Sequence, residues 1–230
     1  IQVGGLGLVT LTSFFALAMR RRMGFRDLRL LGESVSADGY DQAKSVLKIV
    51  VGLAAMFEGI GILLLLFAFV PQFGLEGVWI SVFTAISAFC NAGFDLFGRF
   101  GAYSSLVPYV NNYYVQAVIM FMIISGGLGF MVWVELCQWY QKRRLSLHAK
   151  VVLSFSLILW LGGALGLGLM EWNNPATLGG LPVSGKVMAS LFQSVSTRTA
   201  GMNTVDLASC GTLSKLLMSV LQFIGAAPGS

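Results

Sequence analysis

Residues 194–204 read Ser-Val-Ser-Thr-Arg-Thr-Ala-Gly-Met-Asn-Thr, and residues 87–95 carry a weaker form of this stretch, Ser-Ala-Phe-Cys-Asn-Ala-Gly-Phe-Asp. Each follows an apolar segment that is too short to cross a bilayer, and each lies between two longer apolar segments. This order predicts a long helix, a short re-entrant helix, an irregular turn with glycine, and a second long helix. Irregular backbone at membrane depth is tolerated only where protein buries it or where it lines a watery path. Since carbonyls along such a path can replace the hydration shell of an ion, we interpret the two turns as parts of one ion filter.

The composition indicates that lipid is the main solvent of this chain. Its 230 residues are 56% hydrophobic and 11% charged, whereas about 25% of the residues of a soluble domain are charged. Several apolar runs reach the roughly 20 residues that a membrane-spanning helix needs. The chain is therefore predicted to be an all-α polytopic membrane protein.

Most of the fifteen Lys and Arg residues lie in two loops between apolar runs, within residues 20–48 and 142–150. Basic loops of this kind mark the cytoplasmic side of a membrane protein, so we expect both loops to be cytoplasmic. Nucleic-acid binding, the other explanation for the formal charge of +5, is disfavoured by this distribution. Cys90, Cys137 and Cys210 are odd in number and lack metal-type spacing, so they predict no disulfide framework.

The apolar runs and turns divide the chain into parallel repeats. Spanning helices are predicted over residues 49–70, 113–135 and 151–170, and short re-entrant helices over residues 78–89 and 183–194. Pro71 is expected to end the first span, because proline cannot continue a helix. A last helix, residues 207–224, should be interrupted by the Gly- and Pro-containing stretch after it.

The resulting division has five parts. Residues 1–22 are expected to be the last transmembrane helix of a first repeat, 23–48 a cytoplasmic linker, 49–140 the second helix–pore-loop–helix repeat, 141–150 a second cytoplasmic linker, and 151–230 a third repeat that ends in an interrupted helix. Both ends of the chain lie in apolar runs. We therefore expect a piece of a longer protein with an incomplete set of repeats.

The strings Thr-Arg-Thr-Ala-Gly (residues 197–201) and Asn-Ala-Gly-Phe (residues 91–94), with Gly-Gly-Leu-Gly at residues 4–7 and again at 126–129, carry a family resemblance. Over essentially all 230 residues the chain resembles the Trk/Ktr/HKT potassium transporters, most closely the translocating membrane subunit of bacterial Ktr systems (KtrB-like). The resemblance implies four helix–pore-loop–helix repeats around one pore, similar to a potassium channel tetramer in a single chain. This chain would hold the end of the first repeat, the second, and most of the third.

The resemblance also implies the residues of the site. Potassium would be bound by the filter backbone of Cys90, Asn91, Ala92, Gly93, Arg198, Thr199, Ala200 and Gly201. A gating loop would comprise Gly225, Ala226, Ala227, Pro228, Gly229 and Ser230. Glycine suits the filter because it adopts backbone angles closed to other residues. Ala226 and Ala227 depart from the family pattern, which is richer in Gly and Ser there.

The same resemblance implies the ions, the partners and the location. K⁺ would be the transported ion and Na⁺ would stimulate uptake, while a nucleotide would act only through a cytoplasmic regulatory subunit of the RCK (KtrA-like) type. The full-length chain would form a homodimer in the bacterial inner (plasma) membrane, as a multi-pass protein with no nucleic-acid partner.

Charged side chains near the turns leave alternatives open. Arg198 is costly at membrane depth unless it is paired or wet, and we favour bracing of the filter from behind. Glu58 is either functional or a hydrogen-bond partner of a neighbouring helix. Asp95 and Asp206 either attract cations to an outer mouth or are ordinary solvated carboxylates.

Two other functions are considered. The first is transport of another cation or solute, such as sodium uptake or proton-coupled uptake of the Trk type. The second is an intramembrane enzyme, which would need a nucleophile and a base in one cavity. The one histidine, His148, lies in a predicted cytoplasmic loop, so the enzyme is disfavoured.

Overall fold

The structure is a computed structural model that describes residues 1–2, 40–101, 104–142 and 145–227. Within these ranges the chain forms helices and no strands. The α-helices are α1 Tyr40–Phe73, α2 Leu75–Phe89, α3 Tyr113–Gly127, α4 Phe130–Lys142, α5 Leu147–Glu171, α6 Val183–Thr197 and α7 Thr212–Ile224. Short 3₁₀ helices lie at Phe97–Phe100 and Val107–Tyr109. The predicted helix of residues 1–22 and most of the linker 23–48 lie outside the described residues.

Two of these helices are long and apolar enough to cross a membrane by themselves. They cover Ile49–Phe73 in α1 and Leu147–Glu171 in α5, with 25 residues each. At about 1.5 Å per residue each exceeds the roughly 30 Å of a hydrocarbon core. Helices α3 and α4 make a third candidate only as a broken pair, bent by 97°.

The helix α1 continues past the proline that was expected to end it. Pro71 lies inside α1, which reaches Phe73. The helix ends at Gly74, whose φ is +59°, a left-handed conformation that favours glycine. The Gly74 N–H still donates to the Val70 carbonyl at 2.8 Å. The prediction of a stop at Pro71 is therefore wrong by three residues, because the left-handed glycine and not the proline turns the chain.

The predicted span of residues 113–135 is not one continuous helix, since it is broken in the middle. α3 ends at Gly127, α4 begins at Phe130, and Gly129 between them has φ +82°. The indole N–H of Trp133 donates to the Ser125 carbonyl at 2.7 Å, which satisfies an acceptor that the helix break leaves without its helical partner. A specific hydrogen bond therefore stabilises the break between α3 and α4.

Glycines allow the two short helices α2 and α6 to approach their neighbours closely. Each has 15 residues, about 22 Å at 1.5 Å per residue, and so neither can span a bilayer. A Cβ on Gly126 of α3 would overlap the Phe89 carbonyl at the end of α2, and a Cβ on Gly163 of α5 would overlap Ser194 Oγ of α6. The ends of α2 and α6 are therefore held against α3 and α5 respectively.

Candidate functional site

The chain makes two similar turns where the short helices end. Turn 1 (residues 90–93) follows α2, and turn 2 (residues 198–201) follows α6. Each turn closes with a glycine of positive φ, which is +72° for Gly93 and +76° for Gly201. Turn 1 has a second left-handed residue, Asn91, with φ +49°. Because side chains are rarely tolerated at such angles, glycine is the suitable residue at both closing positions.

The structure brings the two turns into direct contact. A Cβ placed on Gly93 would overlap the Ala200 carbonyl oxygen and lie 3.4 Å from the Gly201 Cα. A Cβ placed on Gly201 would lie 3.7 Å from the Gly93 Cα. Two stretches that are far apart in the sequence thus form one patch of closely packed backbone.

Backbone N–H groups in both turns point back to the ends of the helices. In turn 2 the N–H groups of Thr199, Ala200 and Gly201 all donate to the Ser196 carbonyl, at 3.3, 2.9 and 3.1 Å. In turn 1 the Ala92 N–H donates to the Ser87 carbonyl at 2.9 Å. Among the described residues, none donates a hydrogen bond to the backbone carbonyls of residues 90–93 or 198–201. In the described part of the chain, therefore, no hydrogen-bond donor competes with a cation for these carbonyls.

After each closing glycine, the carbonyl of the next residue accepts a hydrogen bond from a buried serine. Ser87 Oγ donates to the Phe94 carbonyl at 2.6 Å, and Ser196 Oγ donates to the Met202 carbonyl. Both serines are fully buried, at 0% exposure. This role was not predicted from the sequence, although a serine near the end of each short helix was an available signal.

The segment after turn 2 is tied to the loop after turn 1. The Leu106 N–H donates to the Asn203 carbonyl at 2.9 Å, and the Asn203 N–H donates to Ser105 Oγ at 3.2 Å. This link holds the two loops together on the side of the turns away from the ends of α2 and α6.

Both acidic residues that follow the turns accept local hydrogen bonds. Asp95 Oδ1 accepts from the Phe97 N–H at 2.8 Å. Asp206 accepts from Ser209 Oγ at 2.5 Å and from the Ala208 N–H at 3.0 Å. These bonds from Ser209 and Ala208 hold the pKa of the Asp206 carboxyl below its ordinary value, so it carries a negative charge at neutral pH.

Arg198 is buried at 7% exposure, and its side chain leaves turn 2 toward the end of α7. Its Nε donates to the Gly225 carbonyl at 2.9 Å. The guanidinium carbon lies 5.6 Å from the centroid of the Trp160 ring of α5. These contacts identify two partners of the side chain, Gly225 and Trp160, that the sequence did not.

The end of α7 coincides with the predicted interruption. α7 stops at Ile224, and Gly225 has φ +72°. The Ala227 N–H donates to the Gly127 carbonyl at 3.0 Å, so the two helix breaks touch. The further gating-loop residues Pro228, Gly229 and Ser230 lie outside the described residues.

Glu58 hydrogen-bonds to another segment, as one of its two interpretations requires. Its Oε2 accepts from Gln2 Nε2 at 2.9 Å, and Cys90 Sγ of turn 1 lies 4.0 Å from its Oε1. The carboxylate thus connects α1 with the start of the chain beside turn 1.

A cavity of about 400 Å³ lies against turn 2, and its lining is more apolar than polar. It is lined on one side by Thr199, Gly201 and Gln193, and on the other by Lys215 and Gln222 of α7. Among the described residues, no group hydrogen-bonds to the buried Oε1 of Gln193. In the described part of the chain, no group of three or more His, Cys, Asp or Glu side chains could hold a metal ion.

Comparison with known proteins identifies a family model and several relatives that are similar to this chain. The family model described as TrkH, cation transport protein, matches residues 1–230. The Ktr system potassium uptake protein B of Vibrio alginolyticus is 35% identical over 229 residues, covering 98% of this chain and 49% of that protein. Protein B of Bacillus subtilis is 34% identical, covering 100% of this chain and 51% of the relative. The potassium/sodium uptake protein NtpJ of Enterococcus hirae is 32% identical, covering 100% and 50%. The chain spans about half the length of these relatives.

Proposed function

Because the chain belongs to the TrkH family of cation transport proteins, we propose that it forms part of a pore for potassium uptake, in which turns 1 and 2 supply backbone carbonyls to the passing ion. The members of this family are transporters. This agrees with the prediction from the sequence, which favoured a transporter over an enzyme. Two relatives are named as Ktr system potassium uptake proteins, which supports K⁺ as the ion.

One observation carries this proposal. The two turns contact each other through Gly93 and Gly201, and among the described residues no donor reaches any of their eight carbonyls. Carbonyls without donors are costly inside a membrane unless water or a cation satisfies them. A dehydrated K⁺ would accept these oxygens in place of its water shell.

The proposed mechanism assigns a part to each feature of the turns. The closing glycines let two backbones approach without a Cβ between them, so the carbonyls of both can face one ion. Ser87 and Ser196 hold the next carbonyls in place. The Arg198 guanidinium is directed away from the turn toward Gly225, which keeps its positive charge from occupying the place of the cation.

A closed filter needs more carbonyls than two turns provide. We propose that the chain contributes the second and third of four helix–pore-loop–helix repeats, with the end of the first. Its coverage of about half of each relative, 49 to 51%, is consistent with this assignment. The interrupted end of α7 would then be the gating loop, with Ala226 and Ala227 as part of it.

The proposals on regulation and assembly rest on the family resemblance alone. We propose that sodium stimulates uptake, that an RCK-type nucleotide-binding subunit acts on the cytoplasmic side, and that the full-length chain forms a homodimer. Sodium transport is the second candidate function. It is favoured by the name of NtpJ, a potassium/sodium uptake protein.

Uptake by the full-length protein tests the proposal. Transport-deficient cells that express it, with and without a co-expressed regulatory subunit, are supplied with K⁺ or with Na⁺ at equal concentrations. We expect uptake of K⁺ in excess of Na⁺, relative to cells with an empty vector. Sodium uptake in excess of potassium would select the second candidate. No uptake of either ion from well-expressed protein would contradict both.

A further inference from the structure

We propose that Arg198 is a positioning residue for residues 225–227, here called the segment, and that its guanidinium holds the segment docked between turn 2 and the helix break at Gly127. The inference rests on the proposed function, because it concerns the part of that pore which would open. It assigns to a side chain of turn 2 a role that is separate from its backbone carbonyl.

The first attachment joins turn 2 to the segment. Arg198 Nε donates to the Gly225 carbonyl at 2.9 Å. That carbonyl follows the last turn of α7, where helical carbonyls lack partners and the helix dipole favours a cation. The side chain is buried at 7% exposure and lies over the Trp160 ring, so its direction is fixed by packing. A buried cation bonded to this carbonyl stabilises the docked position of the segment.

The second attachment joins the segment to the other repeat. The Ala227 N–H donates to the Gly127 carbonyl at 3.0 Å, and Ala227 is buried at 9% exposure in a cluster with Leu128, Val132 and Val152. A Cβ on Gly127 would lie 3.8 Å from the Ala226 Cβ and 3.5 Å from Asn91 Nδ2. The segment is therefore held at turn 2 through Arg198 and at the break between α3 and α4 through Gly127.

These contacts give the segment a discrete docked state. It cannot leave without breaking the bond from Arg198 and exposing Ala227. A hydrogen bond to a charged group contributes enough to shift such an equilibrium by roughly 10- to 100-fold. Loss of the Arg198 bond should increase the undocked fraction by about this factor.

The undocked fraction can be measured by thiol accessibility in the full-length protein. Ala227→Cys places a thiol in the buried cluster, and a water-soluble methanethiosulfonate reagent modifies it only when the segment leaves. The rate is followed by mass spectrometry of that peptide, which separates it from Cys90, Cys137 and Cys210. Arg198→Met, which removes the donor at similar length, should raise the rate by roughly 10- to 100-fold.

Arg198→Gln refines the test, because the amide nitrogen of Gln is the same number of bonds from Cβ as Arg Nε. It keeps a neutral donor, so the rate should lie between those of the parent and Arg198→Met. Lys186→Met is the matched control, since Lys186 also lies over a Trp ring, at 5.0 Å from Trp172, and donates to a backbone carbonyl at 2.7 Å. It should leave the rate unchanged. A parental rate in Arg198→Met, or in Arg198→Gln if the Met variant does not fold, would overturn the proposal.

A cross-link tests the consequence for transport with Arg198 intact. Cysteines at Gly127 and Ala226 would have Cβ atoms about 3.8 Å apart, the mean for natural disulfides. Oxidation of the double variant should suppress K⁺ uptake at least about 10-fold, and reductant should restore it, while neither single variant should respond to oxidant. Uptake that persists after complete cross-linking would overturn the requirement for undocking. Thiol accessibility needs no transport, so a protein that fails to take up K⁺ contradicts the proposed function without deciding the role of Arg198.

Discussion

Gly93 and Gly201 have similar backbone angles but different surroundings. Both have positive φ, so any side chain adds strain of about 1 kcal/mol or somewhat more. Only at Gly93 would a Cβ also overlap backbone, namely the Ala200 carbonyl oxygen, while at Gly201 the nearest atom would be 3.7 Å away. Backbone cannot move aside as a flexible side chain can.

We therefore predict that Gly93→Ala destabilises the full-length protein more than Gly201→Ala does. The change at Gly93 must separate the two turns, whereas the change at Gly201 adds strain alone. Gly74→Ala is the control, since Gly74 has φ +59° and open space around it. The thermal unfolding midpoints in detergent should fall most for Gly93→Ala and similarly for the other two. Equal effects at all three would show that the turns are not in contact.

Two buried serines of α6, Ser190 and Ser196, differ in whether the hydroxyl donates a hydrogen bond. Comparing their alanine variants therefore tests the effect of that bond. Ser196 Oγ donates to the Met202 carbonyl, whereas the buried Ser190 Oγ has no partner within the described part of the chain. Ser196→Ala should cost about 1–3 kcal/mol, because the Met202 carbonyl loses its donor. Ser190→Ala should be neutral or slightly stabilising.

The readouts for these serines are stability and ion preference. Chemical or thermal unfolding gives the first, and competition between K⁺ and Na⁺ uptake gives the second. We expect Ser196→Ala to weaken the preference for K⁺ and Ser190→Ala to preserve it. A Ser196→Ala variant with parental stability and preference would contradict the assigned role.

At the scale of elements, a buried carboxylate connects α5 with α7. Glu171, at 4% exposure, accepts from the Gly211 N–H at 2.8 Å and from Ser214 Oγ at the start of α7. Its other oxygen accepts from Asn174 and Thr177, both at 2.7 Å. A carboxylate at a helix N-terminus satisfies free N–H groups and suits the dipole.

Glu171→Gln should loosen the first turn of α7, because a neutral amide has one acceptor oxygen where the carboxylate has two. The expected loss of stability is about 1–3 kcal/mol, with faster hydrogen exchange at the start of α7. Glu135→Gln is the matched control, since Glu135 accepts two bonds from Ser146 at an exposed site, and it should change little. Unaltered exchange in Glu171→Gln would show that α7 does not depend on this carboxylate.

The sequence predicted the presence of the helices better than the positions at which they begin and end. Apolar length separated the spanning helices from α2 and α6, because a segment of 15 residues cannot cross a bilayer. The break between α3 and α4 was not foreseen, since glycines are common in membrane helices and usually serve close packing. Gly126 does pack in this way, while the neighbouring Gly127 ends the helix. Only contacts from distant parts of the chain, such as Ala227, distinguish the two.

The candidate site was likewise predictable from the sequence only in part. The glycines and the irregular turns were visible in the sequence because Gly, Ala and Asn in an apolar context mark non-helical backbone. The contact between Gly93 and Gly201, the serine bonds and the Arg198–Gly225 bond were not visible. Each joins a side chain or a glycine to a backbone oxygen whose position is fixed only by the packing of helices.

In the molecule as a whole, two similar turns from distant parts of the chain lie against each other. A long helix, a short helix and a turn occur twice in the same order, and the turns meet at the glycines. The central claim is that this meeting point binds the transported ion. Its carbonyls, and no charged side chain, would then set the preference between K⁺ and Na⁺.

The most direct test is competition between K⁺ and Na⁺ for uptake by the full-length protein, comparing Gly201→Ser with Gly74→Ser. Both changes place a side chain at a positive φ, and only Gly201 lies in a turn with free carbonyls. We predict that Gly201→Ser lowers the preference for K⁺ by roughly 10-fold or more, about 1.4 kcal/mol at the ion, while Gly74→Ser keeps it. An unchanged preference in well-expressed Gly201→Ser would contradict the claim that turn 2 binds the ion.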